Sequence, residues 1–280
     1  MPLNESFIQE GAPTKERIQA PHNWPEKGAV SLQGVSVNYR IGLPAALSNI
    51  SIEIKPGEKV GIVGRTGAGK SSLVNSLMRI VEYTGTIEID GSVLAKKETV
   101  KYQLIMVVEP VVFGGTIRSA LDPHGQYTDD ALRCALVRAF TGAENGPDSK
   151  RCLELDATVE SNGANLSLGE RALLSVVRVL LRNSRIIILD EATASVDCEA
   201  DINVQRAIHR EFNERTLICI AHRIRTVLPY DRILVLHGGS IIELDTPLGL
   251  YDKGGLFNKL CSESCITRED ILSAKWAGTS

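Results

Sequence analysis

The chain has no long hydrophobic run. Its most apolar window, residues 172–181, is short and carries Arg178, whereas a membrane span needs roughly 18 uninterrupted apolar residues. Nor is there a marked excess of charge of either sign. The net charge is −3 and the isoelectric point is near 6.0. That excludes the basic surplus of a dedicated nucleic-acid binder, so no nucleic-acid partner is expected. The six cysteines, at 134, 152, 198, 219, 261 and 265, form no Cys-x-x-Cys pair. They are too sparse for a disulfide scaffold and are expected to be reduced thiols in a reducing compartment. The opening residues, MPLNESFIQEG, lack a basic start followed by an apolar run, so no secretory leader is expected. No internal repeat is present. What remains is average: 43% hydrophobic and 23% charged residues over 280 positions. These values predict a soluble, mixed-structure chain of one or two domains, at roughly 150 residues each.

Residues 1–28 hold four prolines and mixed charges and read as a linker or lead-in. Val30, Leu32, Val35, Val37 and Tyr39 carry strand character with a slip at Gly34. Ile50, Ile52 and Ile54 alternate cleanly up to a turn at KPGE, residues 55–58. A short apolar strand at 60–63 runs into a glycine-rich loop, and Leu73, Val74, Leu77, Met78 and Val81 then mark one helical face. Residues 114–182 read as a helical insertion ending in a helix near 168–182 that is apolar on most sides. Residues 186–189 are too apolar for a one-sided sheet and predict a buried parallel strand. A second such strand is predicted at 216–222, and a hairpin with a Gly-Gly turn at 232–244. Buried strands alternating with helices predict an α/β fold with a parallel sheet and antiparallel pieces at its start and end. The expected division is a lead-in at 1–28, a domain at 29–260 and a tail at 261–280.

The sequence GRTGAGKS fits G-x-x-x-x-G-K-[ST], with Gly64, Arg65, Thr66, Gly67, Ala68, Gly69, Lys70 and Ser71 in order. It stands between a predicted strand and a predicted helix, the context in which glycines let backbone N–H groups surround phosphate oxygens. The helix N-terminus adds partial positive charge. In this pattern Lys70 reaches the β- and γ-phosphates and the Ser71 hydroxyl binds Mg²⁺, with Ser72 next in the nucleotide-binding turn. An acidic pair, Asp190-Glu191, follows the predicted strand at 186–189. An isolated pair of this kind is commonly just solvated. At the C-terminal end of a buried parallel strand, and together with the loop, it takes on a role. Asp190 is then placed to hold Mg²⁺ and Glu191 to act as general base on an attacking water.

Two segments around this pair name a family. NLSLGERALLSVVRVLL (165–181) precedes IIILDEATASVD (186–197), and IAHR (220–223) follows. Together with the glycine-rich loop they resemble the nucleotide-binding domain of ATP-binding-cassette transporters. Leu166, Ser167, Leu168, Gly169 and Glu170 look like the family's signature LSGGQ, with Leu for a small residue and Glu for Gln. Ser195 and Asp197 look like its D-loop, His222 like its switch histidine and Tyr39 like the aromatic that stacks on adenine. The lead-in at 23–73 and GGTIRSALDP (114–123) are similar to the C subfamily, the multidrug-resistance-associated group, and within it to the second, C-terminal domain. LSLGER has a fungal look. The resemblance spans about residues 23–272.

The resemblance implies a P-loop ATPase core with a parallel sheet, an antiparallel β-subdomain and a helical insertion carrying the signature. It implies ATP and Mg²⁺ as ligands, and hydrolysis to ADP and phosphate by Glu191, His222 and Lys70. It also implies that the signature acts on the ATP of a second nucleotide-binding domain. The further partners implied are the transmembrane domains of a transporter, at the cytoplasmic face of a membrane. One position departs from the pattern. The family's Gln-loop resembles IPQDPVLF; here it is MVVEPVVF (106–113), which puts Val108 at the Gln position. Two other readings stand beside export: a slow-turnover, regulatory ATP-binding module, which Val108 favours, and a soluble, non-transport cassette ATPase. A P-loop GTPase is disfavoured because no NKxD motif occurs.

Overall fold

The computed structural model describes residues 24–40, 42–93, 104–107, 111–140, 154–190, 198–221 and 223–274. The central sheet contains β3 (Lys59–Val63), β6 (Leu104–Val107), β9 (Ile186–Asp190), β10 (Thr216–Ile220), β11 (Arg232–His237) and β12 (Ser240–Asp245), in the order β12-β11-β3-β10-β9-β6. All neighbours in it are parallel except the β11–β12 hairpin. An antiparallel sheet of order β2-β1-β4-β5 is built from β1 (Val30–Val37), β2 (Leu47–Ile54), β4 (Thr84–Ile89) and β5 (Ser92–Val93). A two-stranded ladder pairs β7 (Gly115–Thr116) with β8 (Thr158–Val159). Its strands are too short to leave a period in the sequence.

Side-chain alternation along the central strands divides the core in two. Ile186 and Ile188, with Ile218, Ile220, Val60 and Ile62, face the antiparallel sheet and α1 (Lys70–Leu77). Ile187 and Leu189, with Leu217 and Cys219, face the other way. There they meet α2 (Ile117–Leu121), α3 (Asp129–Phe140), α4 (Leu168–Arg182) and α5 (Cys198–Glu211). Both faces are covered, which explains why 186–189 and 217–221 are continuous apolar runs. Each fully buried Ile or Leu contributes about 1.5–3 kcal/mol relative to an exposed one. The expected slip at Gly34 is a register shift between Leu32 and Val35. The strand stops at Val37, so Tyr39 lies beyond it.

Segments on either side of residues 29–260 also make tertiary contacts. Asp90 accepts hydrogen bonds from the N–H groups of Lys27, Gly28 and Ala29, and Trp24 Nε1 donates to Ile89 O at 3.0 Å. Residues 24–28 are thereby fastened across β4. At the other end, α7 (Pro247–Lys253), α8 (Leu256–Glu263) and α9 (Arg268–Ser273) continue the fold. Cys261, Ile266 and Ile271 join the same core cluster as Val227 and Leu228. The described residues of the expected tail, 261–274, therefore pack against the core. Helices of six to eight residues separated by Gly and Ser give too few turns for a readable apolar face.

Candidate nucleotide site

The glycine-rich loop leaves β3, all of whose residues are buried, and enters α1 at Lys70. Gly69 is the N-cap, with φ 104°. A Cβ there would lie 2.6 Å from Ala46 O and 2.9 Å from Leu47 Cδ2, so only glycine fits. Ala68 N donates to Arg65 O at 3.0 Å and closes the turn. Thr66 and Gly67 face solvent, with nothing within 4 Å of where a Cβ would stand at Gly67. The first turn of α1 has no acidic residue, so its positive end is not offset from within. Lys70 is buried and its Nζ donates to Gly64 O at 2.7 Å and Arg65 O at 3.3 Å. The ammonium thus lies against the loop whose phosphate it is expected to meet. Ser71 is exposed on that first turn. Tyr39 is 56% exposed, and its hydroxyl is 3.1 Å from Ser72 Oγ, which ties the aromatic to the start of α1.

The Gly-Gly hairpin turn supports this loop, a role that sequence reading missed. Gly239 N donates to Ala68 O at 3.1 Å, and Ser48 N donates to Gly239 O at 2.8 Å. The turn therefore bridges the loop and the antiparallel sheet across long separations in the chain, where no local pattern signals it. Gly69→Ala is expected to lower unfolding free energy by at least about 2 kcal/mol, since it combines a left-handed backbone with a backbone clash. It should also weaken ATP binding. Denaturant titration and nucleotide titration check the two effects.

Strand order carries the loop to its acidic partner. In the registers, Ile220 of β10 is opposite both Ile62 of β3 and Asp190 of β9. Asp190 and the loop entrance thus flank one residue, at the C-terminal edge of the parallel strands and roughly 10 Å apart at two strand spacings. That edge is where open α/β sheets bind ligands. Asp190 is partly exposed there. Cys219, one residue before Ile220, is pushed up to about 12, chiefly by burial, with the Asp190 charge adding to the rise. It stays a thiol at neutral pH. Among the described residues Cys134, Cys219, Cys261 and Cys265 are free. Val108, Glu191, Ser195, Asp197 and His222 lie outside the described residues.

The signature residues open α4, apart from the loop. Leu166 is buried and Ser167 is the exposed N-cap. Glu170 N donates to Ser167 Oγ at 3.1 Å, and Ser167 N donates to Glu170 Oε2 at 2.7 Å. This reciprocal cap accepts either Glu or Gln at its fourth position, which accounts for Glu170. The Ser-x-x-Glu spacing was itself a readable signal. Leu168 is exposed, and Gly169 is buried, where a Cβ would fall 2.7 Å from Ala200 Cβ. Gly169 therefore lets α4 approach α5, a packing duty beyond any contact with phosphate.

The residues fit Mg²⁺ and a nucleotide: a glycine cradle with no Cβ to fill it, a helix N-terminus, an ammonium, a hydroxyl and a strand-end carboxylate. Comparison with known proteins gives the family. A family model described as "ABC transporter" matches residues 47–194. The chain belongs to the ABC transporter family, and the matching segment lies within its ATP-binding domain.

Among its relatives, ABC-type transporter cicA of Emericella nidulans is 44% identical over 90% of this chain and 19% of its own length. The oligomycin resistance ATP-dependent permease YOR1 of Saccharomyces cerevisiae is 44% identical over 97% of this chain and 19% of its own length. ATP-binding cassette sub-family C member 3 of Mus musculus is 40% identical over 89% and 16%. The chain thus spans about a fifth of the length of these curated relatives. Among solved structures, a bacterial Atm1-family ABC exporter with ATP bound superposes with a TM-score of 0.75. It is 26% identical and covers 91% of this chain and 46% of its own. Among the described residues no helix is long and apolar enough to cross a membrane.

Proposed function

We propose that this chain is the second, C-terminal ATP-hydrolysing domain of a C-subfamily exporter. It works at the cytoplasmic face of a membrane, with transmembrane domains and against a second nucleotide-binding domain. The observation that carries this reading is the strand edge that brings the loop at 64–71 and Asp190 together. The loop amides and Lys70 hold the phosphates, and Tyr39 stacks on adenine, worth about 1–3 kcal/mol. Ser71 and Asp190 would hold Mg²⁺, which when bound neutralises charge on the β- and γ-phosphate oxygens. Glu191 takes the proton of the attacking water and His222 orients that water, giving ADP and phosphate. The N-terminus of α4 at Ser167 and Gly169 caps the γ-phosphate bound by the partner domain. ATP closes the pair, hydrolysis reopens it, and the cycle drives export.

A groove of about 780 Å³ lined by Phe113, Gly114, Gly115, Val159, Glu160, Ser161 and Ala164 suits the membrane-domain contact. Phe113 is 71% exposed there and would be buried by such a contact. The groove joins the segment after Val108 to the turn leading into the signature.

Lys70→Ala tests the phosphate assignment. Hydrogen bonds to charged groups contribute about 1.5–3 kcal/mol, so the Kd for Mg-ATP should rise about 10–100-fold. Wild-type affinity in that variant would overturn the assignment. The regulatory-module reading rests on Val108, which offers no oxygen to Mg²⁺ and no amide to water. Mg²⁺ readily keeps waters in place of a missing ligand, so binding should survive while alignment of the nucleophile suffers. Val108→Gln is therefore expected to raise turnover with little change in ATP affinity. No gain, together with a sharp loss in Glu109→Ala or Gln103→Ala, would show that one of those residues already does the work.

A further inference from the structure

The C-terminal helices reach the phosphate loop at one point and α6 (Ile224–Val227) at another. From α8, the Glu263 carboxylate accepts a hydrogen bond from Arg65 Nη2 at 2.9 Å. Arg65 is the second residue of the phosphate loop. From α9, Asp270 pairs with Arg225 Nη1 at 3.4 Å, and Arg225 Nη2 donates to Cys265 O at 3.3 Å. Arg225 lies in α6, which begins two residues after His222. The two grips share one anchor. Phe257 and Cys261 of α8, Ile266 before α9 and Ile271 within it are buried in the same core cluster as Ile224 and Val227. At its start, α8 is fixed by Glu243 of β12, which accepts from the N–H groups of Leu256 and Phe257 at 2.7 and 2.9 Å.

We propose that Glu263 and Asp270 are positioning residues for the hydrolysis. Through Arg65 and Arg225, the α8–α9 pair sets the phosphate loop and the segment after His222 relative to each other. This rests on the ATPase reading above. Exposed ion pairs shift an equilibrium by about fivefold at most, so neither pair is needed for folding. Their importance comes from what they hold, because misplacement of reacting groups by about 1 Å costs up to about a hundredfold in rate. The two pairs act on different steps. The Arg65 pair shapes the loop that binds ATP. The Arg225 pair shapes the approach to the histidine that orients water. The Asp270 carboxyl is held below its usual range by the Thr267 N–H and hydroxyl, with Arg225 adding to the effect. It is therefore ionised and able to pair at neutral pH.

Glu263→Gln and Asp270→Asn remove the charges but keep the shapes. The Asn oxygen still accepts from Thr267 N, so the cap of α9 persists. Glu263→Gln is expected to raise KM for ATP about two- to fivefold with kcat little changed, and Asp270→Asn to lower kcat by a similar factor with KM little changed. Both differences should shrink at 1 M salt, where the Debye length falls to about 3 Å.

Amide hydrogen exchange on the nucleotide-free protein gives a readout independent of turnover. Exchange should quicken at 64–70 in Glu263→Gln and at 223–227 in Asp270→Asn, with melting temperatures unchanged. If the wild type fails to hydrolyse ATP, the ATPase reading falls, and the exchange result alone decides the grip. If exchange at both segments matches wild type, the positioning role is overturned, whatever the kinetics.

Discussion

Replacing Glu191 with Gln is expected to lower ATP turnover by about 10²–10⁴-fold, the usual worth of a general base, and to leave Mg-ATP binding intact. Asp190 ends β9 at the edge shared with the loop entrance, and Glu191 is the next residue. Phosphoryl transfer needs little covalent help from a protein. It depends on placing charge and on aligning the water. Gln keeps the size and the polarity but accepts no proton, so the loss appears in kcat and not in affinity. With hydrolysis blocked, ATP should hold the domain in its paired form when a second copy serves as partner. Steady-state turnover and nucleotide titration of the same preparation check both halves, and a variant that hydrolyses at the wild-type rate removes Glu191 from the mechanism.

Ser167→Glu is expected to abolish ATP-driven association while leaving monomer ATP affinity within about twofold. The position is the exposed N-cap of α4, where the partner's γ-phosphate is expected. Like charges brought together at an interface cost several kcal/mol, about a hundredfold or more in association. Gly169→Asp would carry the same charge to the same helix end. It also forces Ala200 away, because a Cβ at 169 falls 2.7 Å from the Ala200 Cβ, so its effects mix repulsion with displacement of α4 from α5. Ser167 is exposed, so the new carboxylate displaces no core side chain, but the cap to Glu170 N is lost. Sedimentation with and without ATP is therefore read beside Ser167→Ala, which loses the same cap without adding charge. If monomer binding collapses and association per bound ATP is unchanged, Ser167 serves its own chain's nucleotide.

The parts of this molecule that were legible in the sequence are those with a local physical cause. The glycine spacing from Gly64 to Gly69 follows from backbone that only glycine tolerates. The apolar run at 186–189 follows from burial on both sheet faces, and α4 at Leu168–Arg182 follows from its wide apolar surface. The parts that were not legible depend on residues far apart in the chain. Gly239 bonds to Ala68, Glu263 to Arg65 and Asp90 to the backbone of residues 27–29. None of these pairs leaves a period or a spacing. Gly169 combines both cases. Its resemblance to the signature is local in the sequence, but its packing against Ala200 is not.

The central claim is that this chain hydrolyses ATP at a site completed by a second nucleotide-binding domain. ATP turnover of the purified chain, measured across protein concentration beside Lys70→Ala, tests it most directly. The account predicts that turnover per molecule rises with concentration, levels off once the chain is paired, and is absent from Lys70→Ala at every concentration. Turnover per molecule that stays constant across the range, or that Lys70→Ala matches, would contradict it.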